Sequence, residues 1–367
     1  MTGIAQYTYN LFSNLPIDTD VECSYYHNGL ILNSIDACNF NRSSKNDYLN
    51  NFKAFIRDKV PYSYEVHWLY KKNQFNKVIK SNNFDIYHEP NFISYPSKFN
   101  TINTIHDLSW IKFPIYHPKS RVNFMNKHIK ETLKKSSRLI VDSNFVKKEL
   151  VNNFDINHEK IDVIYLASTM LNIKPIKPKH IFFDGNNSNN YILFVGTLEP
   201  RKNLNNTIDA YIKLPKKIKN QYPLIIAGGH GWNFSEVLKK IKLLSITENI
   251  IHLGYVNKSE LCYLYKYAYC FIYPSFYEGF GLPVIEAMSL STPVITSINS
   301  AMDDVTKNSA IKVKPEDTND ISSKLKFLLD NPSEAIKYGK LGKERSKVFS
   351  WKKCAKETLE SYKKSIS

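Results

Sequence analysis

Along the chain, short apolar runs alternate with longer segments whose apolar residues recur at helical spacing, the pattern of parallel α/β domains. In the first half the pattern predicts strands over Val21–His27, Phe84–His88, Thr101–His106, Arg138–Asp142 and Ile161–Tyr165. Between them it predicts helices over Ile4–Asn14, Tyr64–Lys80, Lys119–Lys135 and Asn144–Asn152. The second half repeats the rhythm more cleanly, with strands over Tyr191–Val195, Pro223–Ala227, Ile250–Leu253, Tyr269–Tyr273 and Pro293–Thr296, each followed by a helix. Between Met170 and Asn190, two prolines precede a Gly/Asn/Ser run, which reads as a linker and an exposed loop. The division is therefore expected as 1–175, 176–349 and a terminal helix over 350–367. Apolar residues at 351, 355, 359, 362 and 366 give that helix a face to dock, and the first domain is the expected partner.

Composition narrows the class. A chain of 367 residues with 43% hydrophobic residues has material for two cores. No apolar run approaches the roughly 20 residues of a membrane-spanning helix. Residues 1–6 lack the basic and apolar regions of a secretory signal, so the expectation is a cytoplasmic protein. Five cysteines without a C-x-x-C pair argue for reduced thiols. The net charge of +16 rests on lysine, with only six arginines; drift toward AT-rich codons explains it as a solvated surface. An anionic membrane or a phosphorylated substrate are the functional readings, and nucleic acid is disfavoured because forked arginine contacts are scarce.

Three strand ends carry candidate chemistry. Pro274-Ser-Phe-Tyr-Glu278-Gly279-Phe280-Gly281-Leu282-Pro283-Val-Ile-Glu286 follows a buried strand, where open α/β sheets bind ligands. Its glycines permit close approach, the amides of Phe280–Leu282 open a helix, and Glu278 and Glu286 can accept from hydroxyl groups. Against this stands a plain glycine turn with a helix-start carboxylate. Gly196-Thr-Leu-Glu-Pro-Arg201-Lys202-Asn follows another strand; two cations opposing a helix dipole suggest a diphosphate grip, against a solvated basic turn. Thr104-Ile-His106-Asp-Leu is the third, with His88-Glu89-Pro90 at a further strand end; alone, a histidine there is more often structural. Asp18-Thr19-Asp20 reads as turn chemistry, Gly228-Gly-His-Gly231 lacks a phosphate-loop ending, and no metal site is supported.

Together Gly196-Thr-Leu-Glu-Pro-Arg-Lys-Asn, Leu253-Gly-Tyr-Val, Pro274 through Met288, Thr292-Pro-Val-Ile-Thr-Ser, Ile105-His-Asp-Leu-Ser and Phe349-Ser-Trp resemble the retaining glycosyltransferases of family 4. Within that family the resemblance is to the mannosyltransferase-like enzymes of O-antigen and capsule (polysaccharide) assembly. It implies a GT-B architecture, two Rossmann-like domains facing a cleft, with no cofactor and no essential metal. The donor would be a nucleoside-diphosphate sugar, GDP-mannose being the expected one, and the acceptor a glycan or lipid-linked glycan. Glu278 would contact the donor sugar and Glu286 the ribose. Arg201 and Lys202 would hold the diphosphate, with Gly3 against the phosphates and Gly196 among the donor-binding residues. Phe280, Gly281 and Leu282, after Gly279, would bind sugar hydroxyls, Tyr255 and Val256 the base, and His106 would sit beside the reacting sugar. Peripheral contact with the inner face of a membrane fits such an acceptor. Family members carry a strand before the Thr2-Gly-Ile turn, so the first strand is expected to be missing here. Ser300-Ala-Met-Asp-Asp304-Val also departs from the usual Leu-Pro-Glu-Val. The alternative reading is an N-terminally truncated, catalytically silent remnant or binding protein.

Overall fold

A computed structural model of the chain describes residues 3–15, 21–38, 62–179, 191–229, 231 and 234–366. It divides into two compact units, one of Met1–Leu166 with Trp351–Ser367, the other of Ala167–Ser350. The division falls before the expected boundary at residue 175, because the intervening segment is bonded to the second unit. Ile176 N–H donates to the Ser259 carbonyl at 3.0 Å, the Cys262 thiol reaches the Met170 and Ile173 carbonyls, and Ser168 bonds Ser289. Residues 180–190, the expected exposed loop, lie outside the described residues, as do Asp18-Thr19-Asp20 and His230.

The first unit opens with the helix Gly3–Ser13, so Gly3 starts a helix rather than standing in a turn before it. The expected strand Val21–His27 is reduced to β1 (Tyr25–His27), and it does not join a parallel sheet. It pairs antiparallel with β2 (Leu30–Leu32) across Asn28-Gly29. Both turn residues have positive φ, 50° and 87°, the geometry of a primed hairpin turn for which Asn-Gly is the preferred pair. The parallel sheet runs β3 (Ile86–Glu89), β4 (Asn100–Ile105), β5 (Arg138–Val141) and β6 (Ile161–Val163), in that spatial order.

Strand β4 looks amphipathic, as Asn-Thr-Ile-Asn-Thr-Ile, yet five of its six residues are buried. The polar ones are matched: Asn103 Nδ2 donates to the Phe92 carbonyl at 3.0 Å and Oδ1 accepts from Ser136 Oγ at 2.9 Å. The lysine-rich helix Lys119–Lys135 docks through Met125, Ile129 and Leu133, spaced four apart. Burying three such side chains contributes about 1.5–3 kcal/mol each, and the Lys, Arg and Glu of the polar face are themselves good helix formers.

The helix Trp351–Ile366 completes this unit with Trp351, Cys354, Ala355, Leu359 and Tyr362 inside; Ile366, expected on the docking face, is 56% exposed. It is latched at Asp162, which receives Arg138 Nε and Nη2 at 2.6 and 2.8 Å, Ser361 Oγ at 2.7 Å and Lys364 Nζ at 3.2 Å.

The second unit has six parallel strands: β7 (Ile192–Val195), β8 (Leu224–Ala227), β9 (Ile250–Gly254), β10 (Cys270–Tyr273), β11 (Val294–Ser297) and β12 (Ile311–Val313). The spatial order is β12-β11-β10-β7-β8-β9. Counted from β7 this is the doubly wound order 3-2-1-4-5-6, with the connections diverging between β7 and β10. Strands β7, β8, β10 and β11 are buried at every position, which explains the continuous apolar runs of the first three; in β11 the hydroxyls of Thr296 and Ser297 are bonded to the carbonyls of Tyr273 and Ser275. The short β12 has only two apolar residues, too few to be read as a strand.

Candidate functional site

The connections diverge between β7 and β10, and both strongest motifs follow the carboxyl ends of these strands, where such sheets bind ligands. The segment after β7 forms a 3₁₀ turn at Pro200–Lys202; Asn203 turns left-handed (φ 61°) before the helix Leu204–Ile212. The segment after β10 runs to Gly281, whose φ of 92° enters the helix Leu282–Ser289. A Cβ at Gly281 would lie 2.3 Å from Met302 Cε, so glycine serves both conformation and space. The two segments are stitched together: Phe276 N–H donates to the Arg201 carbonyl at 3.0 Å, and Asn203 Nδ2 donates to the carbonyls of Pro274 and Pro315.

This stitching gathers four charges, three of them buried and the fourth, Lys202, half-buried. Arg201 Nη1 donates to the Tyr277 carbonyl at 2.7 Å and lies 3.2 Å from Glu278 Oε2, while Nη2 donates to Glu199 Oε1 at 3.0 Å. Lys202 Nζ lies 2.5 Å from Glu278 Oε1 and 3.7 Å from Glu199 Oε1. Tyr273 O–H donates to Glu278 Oε1 at 2.8 Å, and Lys202 also faces the Tyr273 ring. Burial works against ionising Glu278, but the Arg201 and Lys202 charges prevail and hold its carboxyl below the ordinary value. Burial and the neighbouring Glu278 charge push the Tyr273 phenol well up. The two cations therefore find their counter-anions within the chain; the expected need for an outside anion to offset a helix dipole does not arise.

Glu286, one and a half turns into the glycine-entered helix of Leu282–Ser289, accepts from Tyr265 O–H at 3.1 Å. Burial pushes its carboxyl up to about 7. Three glycine-marked turns line the same sheet edge: Gly196 N–H donates to the Ala227 carbonyl and Gly228 N–H to the Gly254 carbonyl. A Cβ at Gly228 would stand 1.9 Å from the Gly196 carbonyl oxygen, so these turns approach as closely as backbone allows. Tyr255, just past Gly254, is 75% exposed, and Val256 is half-buried. Ser300, where the family pattern differs, caps the helix Ala301–Thr306 in a capping box with Asp303.

Gly3 and His106 belong to the other unit. Gly3 is exposed, with nothing packed where a Cβ would be. His106, following β4, is buried with both ring nitrogens on acceptors: Nδ1 lies 2.7 Å from Asp142 Oδ2 and Nε2 2.9 Å from the Pro90 carbonyl. Burial opposes its charge, yet Asp142 and the carbonyl outweigh it and raise its pKa. Asp142 Oδ1 is buried without a hydrogen-bond partner. On the next strand, His88 Nε2 bonds Thr104 Oγ1 at 2.8 Å and Nδ1 bonds Tyr362 O–H at 2.7 Å, while Tyr7 O–H also meets Thr104. Burial, with the His106 charge adding to it, pushes His88 down to about 3. Glu89 accepts from Tyr87 O–H at 2.7 Å and Asn91 N–H at 3.1 Å, and burial pushes it up to about 7. Sequence reasoning missed Glu199, Tyr273, Tyr265 and Asp142. Only Glu199 and Asp142 carried a signal, as acids just past a strand.

The description "Glycosyl transferases group 1" matches residues 177–345, and "Glycosyltransferase Family 4" matches residues 38–167. The O-antigen chain mannosyltransferase B of Escherichia coli is 32% identical over 99% of this chain and 96% of its own length. The chain belongs to the family-4 glycosyltransferases. A second relative, the O-antigen chain mannosyltransferase RfbU of Salmonella typhimurium, is 30% identical over 65% of this chain and 64% of its own. Among solved structures, the sucrose-phosphate synthase of Thermosynechococcus elongatus superposes with a TM-score of 0.66 at 19% identity, over 80% of this chain and 76% of that one. WaaG, a glycosyltransferase involved in lipopolysaccharide biosynthesis, gives 0.62 at 14%, over 78% and 80%. The fold of this glycosyltransferase is thus GT-B, built of two Rossmann-like units. Among the described residues no helix is long and apolar enough to cross a membrane.

Proposed function

We propose that this glycosyltransferase is a retaining mannosyltransferase that moves mannose from GDP-mannose to a glycan or lipid-linked acceptor in O-antigen or capsule assembly. The observation that carries the reading is the buried Arg201–Lys202–Glu278 cluster at the doubly wound divergence point. A likeness of 32% to an O-antigen mannosyltransferase over nearly its whole length supports the choice of sugar. Departure of a nucleoside diphosphate leaves an oxocarbenium-like sugar and a developing anion, which fixed cations and helix-start amides stabilise. Arg201, Lys202 and the amides of Gly279–Leu282 supply these groups, with Gly196 beside the phosphates and Glu286 on the ribose. Tyr255 and Val256 border the base.

Glu278 is read as a ligand of sugar hydroxyls, not as the nucleophile. Its oxygens are occupied by Arg201, Lys202 and Tyr273, and its lowered pKa marks a weakly basic carboxylate. Retention then follows from same-face attack assisted by the leaving phosphate. The family resemblance would put His106, paired with Asp142, beside the reacting sugar and Gly3, at a helix start, against the phosphates. Peripheral attachment to an anionic membrane is supported by the lysine excess and by exposed Val66, Leu69 and Tyr70 on the helix Ser63–Ile79.

The test is a mass-spectrometric transfer assay over GDP-, UDP-, ADP- and dTDP-sugars with lipid-linked glycan acceptors. Mannosyl transfer from GDP-mannose with retained anomeric configuration is expected. Absence of transfer and of donor hydrolysis for every sugar nucleotide overturns the reading.

A further inference from the structure

Each cation of the buried cluster touches both carboxylates, yet the two cations are held in different ways. Arg201 is tied at several points. Its carbonyl accepts from Phe276 N–H, Nη1 bridges the Tyr277 carbonyl and Glu278, and Nη2 is fixed on Glu199. Moving that guanidinium would release the backbone of the segment carrying Glu278. Lys202 is held by its ammonium on the same two carboxylates, at the tip of a flexible stem. The cluster sums to zero charge, two cations against Glu199 and Glu278, so an arriving diphosphate must break a pairing to be held. The Lys202–Glu278 contact breaks at the least structural cost. Glu278 would still keep Arg201 on Oε2 and Tyr273 on Oε1.

We propose that Glu199 and Arg201 form a positioning brace that sets the Glu278 carboxylate for the donor sugar, leaving Lys202 as the cation that swings to the diphosphate. This rests on the donor-site reading above and narrows it: of the two cations assigned there to the diphosphate, Lys202 binds it while Arg201 holds Glu278 in place. Glu199 acts through Arg201 and touches no substrate. The brace also explains why a carboxylate stands beside two cations in a site for an anion. Glu199 satisfies the guanidinium face that Glu278 and the Tyr277 carbonyl leave open.

The experiment compares binding of a bare nucleoside diphosphate, binding of its sugar nucleotide, and turnover, for wild type, Glu199→Gln, Arg201→Lys and Lys202→Ala. The nucleotide is whichever of GDP, UDP, ADP and dTDP the wild type binds most tightly by calorimetry. Glu199→Gln is expected to bind the bare diphosphate as well as wild type or tighter, lose its preference for the sugar nucleotide, and drop about 30- to 100-fold in kcat. Arg201→Lys, which keeps the charge and loses the fork, is expected to behave alike. Lys202→Ala is expected to lose about 10- to 100-fold in affinity for the bare diphosphate. Wild-type kcat in Glu199→Gln overturns the brace, as does an Arg201→Lys loss of diphosphate affinity matching that of Lys202→Ala. If Arg201→Lys does not fold, Glu199→Gln, nearly isosteric, decides alone. A wild type that binds a nucleotide but transfers nothing overturns the proposed function, while the preference for sugar nucleotide over diphosphate still reads the brace. A wild type that binds no nucleotide overturns both.

Discussion

The two units hold their charged groups in opposite ways. In the second, four charges from two consecutive-residue motifs meet at one divergence point, each satisfied by opposite charge, and Glu278 stays ionised despite burial. In the first, polar groups from residues 7, 88, 104, 106, 142 and 362 form two short relays around β4, with His88 held neutral and Asp142 Oδ1 unsatisfied. One is a balanced electrostatic cluster of two cations and two carboxylates. The other is a proton-holding network whose members belong to the core. A single substitution should therefore act on chemistry in the second unit and on protonation and folding in the first.

The largest effect tests that division directly. Glu278→Ala is expected to lower kcat about 100- to 1000-fold, with the second unit still folded by circular dichroism. Transfer at the wild-type rate would remove the cluster from the site. Asp142→Asn comes next. It keeps a hydrogen-bond acceptor for His106 but removes the charge that stabilises the imidazolium, so the His106 Cε1–H resonance should titrate well below its wild-type midpoint. Breaking a buried pair of this kind costs about 3–5 kcal/mol, read from chemical denaturation. A His106 that titrates unchanged would mean that the Pro90 carbonyl, not Asp142, holds the proton.

A smaller effect concerns pH. Glu286 has its folded pKa raised to about 7 by burial, so the native state binds the proton more tightly than the unfolded chain does. Stability from this group is full below the ordinary carboxylate value and is lost as pH rises toward and through 7. The change is on the order of 3 kcal/mol. Glu286→Gln should flatten the fall in melting temperature between pH 5 and 8, measured alongside Glu89→Gln, since Glu89 is raised to the same value in the first unit. A curve unchanged by both substitutions would place the pH dependence elsewhere. The smallest effect is Ser361→Ala, which removes one donor from Asp162 while Arg138 and Lys364 remain; about 1 kcal/mol is expected.

The same contrast governs what could be read from the sequence. The second unit's strands were legible because most are buried on both faces and read as continuous apolar runs, and its candidate charge cluster because Arg201, Lys202 and Glu278 stand in two contiguous motifs that follow strands. What was not legible there was Glu199 as a partner rather than a bystander, since only the fold brings Glu278 back to it. In the first unit, His106 stood out at a strand end, but Asp142 is 36 residues away and identifiable only once β4 and β5 are adjacent. Strand β4 was recognisable, while the burial of its polar face was not, because alternation implies a solvent side. The antiparallel pairing of Tyr25–His27 with Leu30–Leu32 follows from Asn28-Gly29, a turn pair hidden within a run of apolar and aromatic residues.

The latch of helix Trp351–Ile366 onto Asp162 and His88 bears on the order of synthesis. On the ribosome residues 3–166 emerge before 167–350, yet the unit they form needs that later helix to cover its core and bond His88 and Asp162. The second unit, drawn from Ala167–Ser350, is fully translated before that helix exists. The domain begun first is finished last. Until then its sheet must wait with Tyr362's place empty, which makes the nascent first unit the segment most dependent on protection from chaperones.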